Sequence, residues 1–373
     1  DGLTISSGKT LTLAGDLTVD GAVTYSDGTA KINLNGYKLT VNGDVTGSGL
    51  IQINSSSDLT LVGTTAQFSF DGTDINHLSS NAAITLDENL TIHGDLSLEA
   101  NLNIGSYDLT LEGAISGDGS LVGTSSSDLV VSGSGAFGVV NILGELSAFT
   151  VNRSGETITL GFCADPLEVS SLSLTNGILE LGSPTLGTYN TLRVTGTYSR
   201  TNGTFQDDEG FSNLEFINTT TGSLYFSGFP PLLNGLTLNT TGTFTIATQM
   251  TISETNVYKG TLTNSEEVTF GGMLNGDGTN AATITLNADA TVTGSFTLAA
   301  NSIFTVGANT LTLDGPITFD AASDFNADHT SNLVVNGDLY DGINPVELPA
   351  LDQLKNLTLG NTLGIKLYSY LDV

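Results

Sequence analysis

Three histidines, two carboxylate runs and two Gly-Asp-Gly turns are the residues of this 373-residue chain whose types and spacing bear on chemistry. A histidine metal site needs a second ligand at fixed spacing. His77 and His329 have none. His93 sits between Ile92 and Gly94, where apolar alternation turns it outward. All three read as exposed turn or strand residues. Asp207-Asp208-Glu209 and Glu266-Glu267 supply paired carboxylates, the raw material of acid–base catalysis. No Gly-His-Gly or Arg-x-Lys run accompanies them. A sugar-acid lyase would also need Lys or Arg at the reacting carbon, and the cations here are dispersed. Asp207–Glu209 therefore reads as an acidic loop tip. No catalytic, cofactor-binding or metal residue is assigned, and the chain is not expected to be an enzyme.

Charge narrows the partners. There are 39 acidic and 9 basic residues, a net charge of −30. Phosphate binding needs a basic patch. Lys9, Lys31, Lys38, Arg153, Arg193, Arg200, Lys259, Lys355 and Lys366 are scattered, so nucleic acid is excluded. The acidity reads as solubility and self-repulsion. Divalent cations in Asp-rich turns are the alternative. Gly117-Asp118-Gly119 and Gly276-Asp277-Gly278 resemble fragments of calcium-binding nonapeptide turns, but the full pattern is absent. No cofactor is expected, with calcium in these Asp/Gly turns as the one exception to test. Cys163 is alone, which rules out a disulfide framework. No apolar run approaches a membrane span, so this segment is not expected to insert.

The elements that position these groups are short. Leu109–Gly113 reads LTLEG, and the shape apolar-Thr-apolar-x-Gly recurs at 11–15, 17–21, 39–43, 59–63, 90–94 and 311–315. Looser copies occupy 129–133, 333–337 and 357–360. Each predicts a strand with two apolar residues on one face, Thr on the other and a Gly turn. Gly is expected to supply positive φ at these corners. No stretch holds helical spacing over three turns.

Steps between motifs cluster near 20: Leu39 to Leu59, Leu90 to Leu109, Leu109 to Leu129 and Leu311 to Leu333. A fixed period of that size is a solenoid signature. The expected fold is all-β, a parallel β-helix (β-solenoid) with about 20 residues per coil, right-handed, and about 18 coils. Its length as a rod would be on the order of 85 Å. A longer period overlies this one. Residues 64–169 reappear as 264–373, first at an offset of 200, then drifting by two residues at a time between strand motifs. The match ends with Leu167-Glu168-Val169 against Leu371-Asp372-Val373. The expectation is one continuous solenoid over 1–373, with a less regular section at 134–263 and an extended break at Phe229-Pro230-Pro231. The last copy stops mid-unit and no capping helix is visible, which reads as a window on a longer array.

In such a fold the apolar pairs form a continuous inner stack. Thr12, Thr40, Thr60, Thr91, Thr110 and Thr312 are expected to form one outward ladder. One Thr per strand is too sparse for an ice-binding array. Sequons at Asn218 and Asn239 are those expected by chance in so Asn- and Thr-rich a chain.

These triplets, with Leu172-Ser173-Leu174-Thr175-Asn176-Gly177 and Asn356-Leu357-Thr358-Leu359-Gly360, resemble the repeats of large bacterial surface proteins. The class is the giant repeat adhesins and filament proteins, with autotransporter passengers as architectural relatives. The resemblance implies secretion, an extracellular or cell-surface location and a structural or adhesive role. It implies partners of two kinds, the chain itself end to end or its further repeats, and a cell-surface or polysaccharide ligand. It transfers no functional residue. The alternative is a polysaccharide-binding or polysaccharide-cleaving β-helix, which predicts aromatics and paired carboxylates at one height. Any function beyond spacing is expected in 134–263, where the motif fades.

Overall fold

The computed structural model describes residues 1–183, 187–207, 209–228, 231–337, 346–348, 351 and 353–367. The fold is an all-β parallel β-solenoid of about 16 coils, roughly 21 residues each, without helices among the described residues. Asp208, Phe229, Pro230 and 371–373, invoked above for an acidic tip, a break and the end of the long repeat, lie outside the described residues. The chain divides into two compact units, Asp1–Thr188 with Thr201–Gly203, and Tyr189–Arg200 with Thr204–Val373.

In the first unit each early coil contributes strands to three parallel sheets. One holds Leu3–Ile5, Val23–Tyr25 and Val45–Thr46; another runs from Thr10–Thr12 through Lys31–Asn33 and Leu50–Gln52 to Ser69–Asp71. The third stacks Leu17–Val19, Lys38–Val41, Asp58–Leu61, His77–Ser80, Leu96–Leu98 and Ile115–Ser116. The triplet residues pair as their spacing predicted. Leu90, Leu109, Leu129 and Phe149 follow one another in register, with Thr91, Thr110, Val130 and Thr150 beside them. Leu109 and Leu129 are fully buried and Leu90 nearly so. Each such side chain contributes about 1.5–3 kcal/mol by leaving water. Register steps of as few as 17 residues (Ile75 to Ile92) and as many as 24 (Leu333 to Leu357) occur.

The Thr residues do not form one ladder. Thr12 pairs with Asn33 in one sheet, Thr40 with Thr60 in another, and Thr91 with Thr110 in a third. The same triplet serves different sides of the coil, because all sides need the same inward pair.

The motif glycines act differently from expectation. Gly21, Gly43, Gly63, Gly94, Gly113, Gly315 and Gly337 are not among the positive-φ residues, whereas Gly133 is, at 83°. A Cβ on Gly113 would meet the backbone of Gly94; on Gly63, that of Gly43; on Gly315, that of Gly294. Corners of successive coils sit backbone on backbone, and only a residue without Cβ fits. Positive φ is used elsewhere, as at Asn35 and Gly36 (52° and 82°).

The less regular section holds the longest strands. Gly138–Cys163 is a continuous 26-residue strand paired with Leu167–Glu180. Gly144 and Gly155, at φ of 83° and 77°, bend it without ending it, and a register shift falls at Asn152. At that bulge Arg153 turns inward and is buried. Its Nε donates to Gly135 O (2.7 Å), its Nη1 to Glu112 O (2.8 Å) and Ser132 O (2.5 Å), and its Nη2 to Ser134 O (2.8 Å). Phe137 lies against the guanidinium, 5.3 Å from ring centroid to carbon. Burial lowers its pKa, while Glu156 and Asp95 work in the opposite direction.

The second unit repeats the scheme with a more aromatic core. Phe216 and Phe244 lie 4.3 Å apart between centroids, and Phe304 stacks on Phe325 at 5.7 Å. Ala290, Leu311, Leu333 and Leu357 occupy the register of Leu90, Leu109, Leu129 and Phe149. The drift of the long repeat has a defined place. Three residues separate Leu98 from Leu102, and five separate Leu298 from Phe304. Four separate Ser116 from Leu121, and six separate Thr318 from Phe325. Leu102 pairs with Leu121 as Phe304 does with Phe325. Both two-residue insertions thus enter the same turn of the coil and leave the strands in register.

Candidate functional site

The histidines lie outward as predicted, but two of them are held. His93 bridges three coils. Its Nδ1 lies 2.7 Å from Glu112 Oε2 and its Nε2 3.2 Å from Asp74 Oδ1. The Glu112 hydrogen bond is the main cause raising the His93 pKa, and Asp74 adds to it. His77 Nδ1 accepts the Asp95 N–H at 2.7 Å. Its ring fills the space a Cβ on Gly94 would need. His329 is exposed beside Asp328.

The carboxylate runs do not converge. Asp207 is buried, with Oδ2 accepting the Ser212 N–H at 2.9 Å, whereas Glu209 is exposed. Glu267 accepts from Gln249 Nε2 at 3.3 Å, and Glu266 is exposed. Asp118 is exposed. Asp277 is occupied by its own turn: it accepts the N–H groups of Thr279 and Asn280 (2.8 and 2.9 Å), the Thr279 hydroxyl and the Asn280 amide. The Asn280 N–H is the foremost of several donors that lower its pKa. Asp27 repeats the arrangement with Thr29, and its pKa falls to about 2, the Ser7 hydroxyl contributing most. Among the described residues no group of three or more His, Cys, Asp or Glu is arranged to hold a metal ion. Cys163 is buried, and burial pushes its thiol up to about 12.

The acidity has a structural use that composition did not reveal. Corner carboxylates accept the backbone N–H of the coil that follows. Asp16 takes Lys38 N–H (3.0 Å), Asp44 takes Thr64 and Thr65 (2.9 and 3.0 Å), Asp58 takes His77 (3.2 Å), Asp95 takes Ala114 (3.0 Å) and Asp289 takes Thr310 (2.7 Å). These donors sit where the ladder breaks at a turn, and a short acidic side chain replaces the missing carbonyl. The sequence signal was available: Asp or Asn directly before the triplet, one coil earlier.

Two of the surface depressions carry titratable side chains. One, about 370 Å³, is lined by Lys38, Asp58, His77 and Asp95 beside the hydroxyls of Thr60, Ser79 and Ser97. The other, about 510 Å³, lies over Phe226 and Met250 with Gln249 and Glu267 at its rim.

One outward pair stands apart from this polar surface. Tyr189 and Phe211 are each half exposed, with ring centroids 4.7 Å apart and planes tilted 54°. They precede Thr191 and Asn213, which pair in register. On the same two strands Arg193 Nε donates to Glu215 Oε2 at 2.7 Å. Spacing of one coil, 22 residues, at outward parity is the signal that would have found these rings.

No protein-family model, curated protein or solved structure matches the chain.

Proposed function

We propose that this chain is a structural or adhesive segment of an extracellular surface protein, serving as a spacer or fibre-forming element. The observation that supports it is the placement of insertions in the long repeat. Two extra residues per coil enter one turn while the inward pairs stay in register. Strand pairings join each coil to the next, so coils can be added without a new core. The outward surface is occupied by hydroxyls, amides and carboxylates that largely serve the fold itself. Partners under this reading are further coils of the same kind, end to end, and a cell surface or a polysaccharide.

The test pairs adhesion with turnover. Beads coated with the purified chain are scored for retention on polysaccharide and cell-surface films, and the soluble chain is imaged for fibres. The same preparation is assayed for release of reducing ends or unsaturated sugars. Retention or fibres without turnover is expected. Polysaccharide cleavage, or neither retention nor fibres, would contradict the proposal.

A further inference from the structure

Among the described residues, Tyr189 and Phe211 are the one pair of contacting aromatic rings with both members exposed. A single exposed ring needs no explanation, but two brought together by one coil step form a small apolar platform.

The platform continues into polar groups on the same face. Tyr189, Thr191 and Arg193 share outward parity on one side; Phe211, Asn213 and Glu215 share it on the other. Asn213 Nδ2 donates to Thr191 Oγ1 at 3.3 Å, and Arg193 pairs with Glu215. Four residues of strand span about 13 Å. Over that distance the surface passes from flat and apolar, through amide and hydroxyl, to a compensated ion pair.

We propose that this face binds a neutral polysaccharide lying along the strands. The C–H face of a pyranose ring suits the aromatic platform. Sugar hydroxyls both donate and accept, and Thr191, Asn213 and the Arg193–Glu215 pair offer both kinds of partner. The net charge of −30 repels polyanions, and Glu215 already neutralises the cation of the face. The proposal rests on the adhesive reading above and names its contact surface.

The test is affinity electrophoresis of the full chain through gels containing a mixed-linkage β-glucan, a galactomannan or polygalacturonate. Retardation by at least one neutral polymer and none by polygalacturonate is expected. Tyr189→Ala/Phe211→Ala should weaken it at least tenfold, while Phe162→Ala, exposed elsewhere, leaves it unchanged. Far-UV circular dichroism checks the fold, and the single Tyr189→Ser and Phe211→Ser variants give the same readout if the double variant fails to fold. No retardation by either neutral polymer, or retardation that survives loss of the rings, overturns the site. If coated beads still adhere in that event, the adhesive reading stands without this site; if they do not, both fall.

Discussion

Gly113 lies against Gly94 so closely that a Cβ on Gly113 would run into the Gly94 carbonyl group. The same contact joins Gly315 to Gly294 and Gly63 to Gly43. Gly15 ends an otherwise identical motif yet has nothing within 4 Å of its virtual Cβ and no positive φ. Gly113→Ala and Gly315→Ala should therefore each destabilise by about 1–3 kcal/mol, the cost of overpacking. Gly15→Ala should be neutral or stabilise by about 0.5 kcal/mol through the unfolded chain. Urea midpoints of the three variants check this. Equal effects at Gly15 and Gly113 would contradict close approach as the reason for the motif glycine.

Arg153 is the largest buried polar side chain and serves four backbone carbonyls. Arg153→Met keeps much of the volume but strands the acceptors of Glu112, Ser132, Ser134 and Gly135. A loss of about 3 kcal/mol is expected. Arg153→Lys should recover only part of it, because one ammonium cannot reproduce the planar fork. Amide exchange at 112–135 should accelerate in both variants.

His93 carries a pH dependence with a defined sign. Its pKa is raised in the fold, first by Glu112 and then by Asp74. The stabilisation is complete below the unfolded histidine value of about 6.5 and is lost as pH rises through the raised folded value. Amide exchange of 91–93 should be slowest on the acidic side of neutrality and speed up above it. His93→Gln should abolish that step while leaving exchange at 311–313 unchanged.

Asp44 accepts two N–H groups of the next coil, from Thr64 and Thr65. Asp44→Ala should cost about 1 kcal/mol, the usual value of a lost cap. Asp44→Asn, which retains the acceptor, should cost less than half as much. Equal losses would indicate that charge, and not hydrogen bonding, places acidic residues at these corners.

The coil was legible because burial of a two-residue apolar face repeats wherever the chain turns inward. Leu90, Leu109 and Leu129 announced their own register. The single Thr ladder was not legible, since one triplet serves several sides of the coil and Thr12, Thr40 and Thr91 fall on different sheets. Positive φ is also indistinguishable in sequence from close backbone approach, and both select Gly. His93 and its carboxylates are 19 residues apart in each direction, so their meeting depends on coil length at that point. Tyr189 and Phe211 lie outside the triplets, so the repeat does not mark them. Arg153 required knowledge of the bulge at Asn152, which no local pattern encodes.

On the spacer reading, coils are interchangeable units of length. Deleting residues 90–108 removes one coil and sets Leu109 in the place of Leu90, with Asp108 replaced by Asn89 at the corner. The most direct measurement is the urea unfolding of this variant beside one lacking 90–99, which shifts the register by half a coil. The one-coil deletion should retain the β-type circular dichroism and a sharp transition near that of the intact chain, while the half-coil deletion loses both. Equal disruption by the two deletions would contradict the claim.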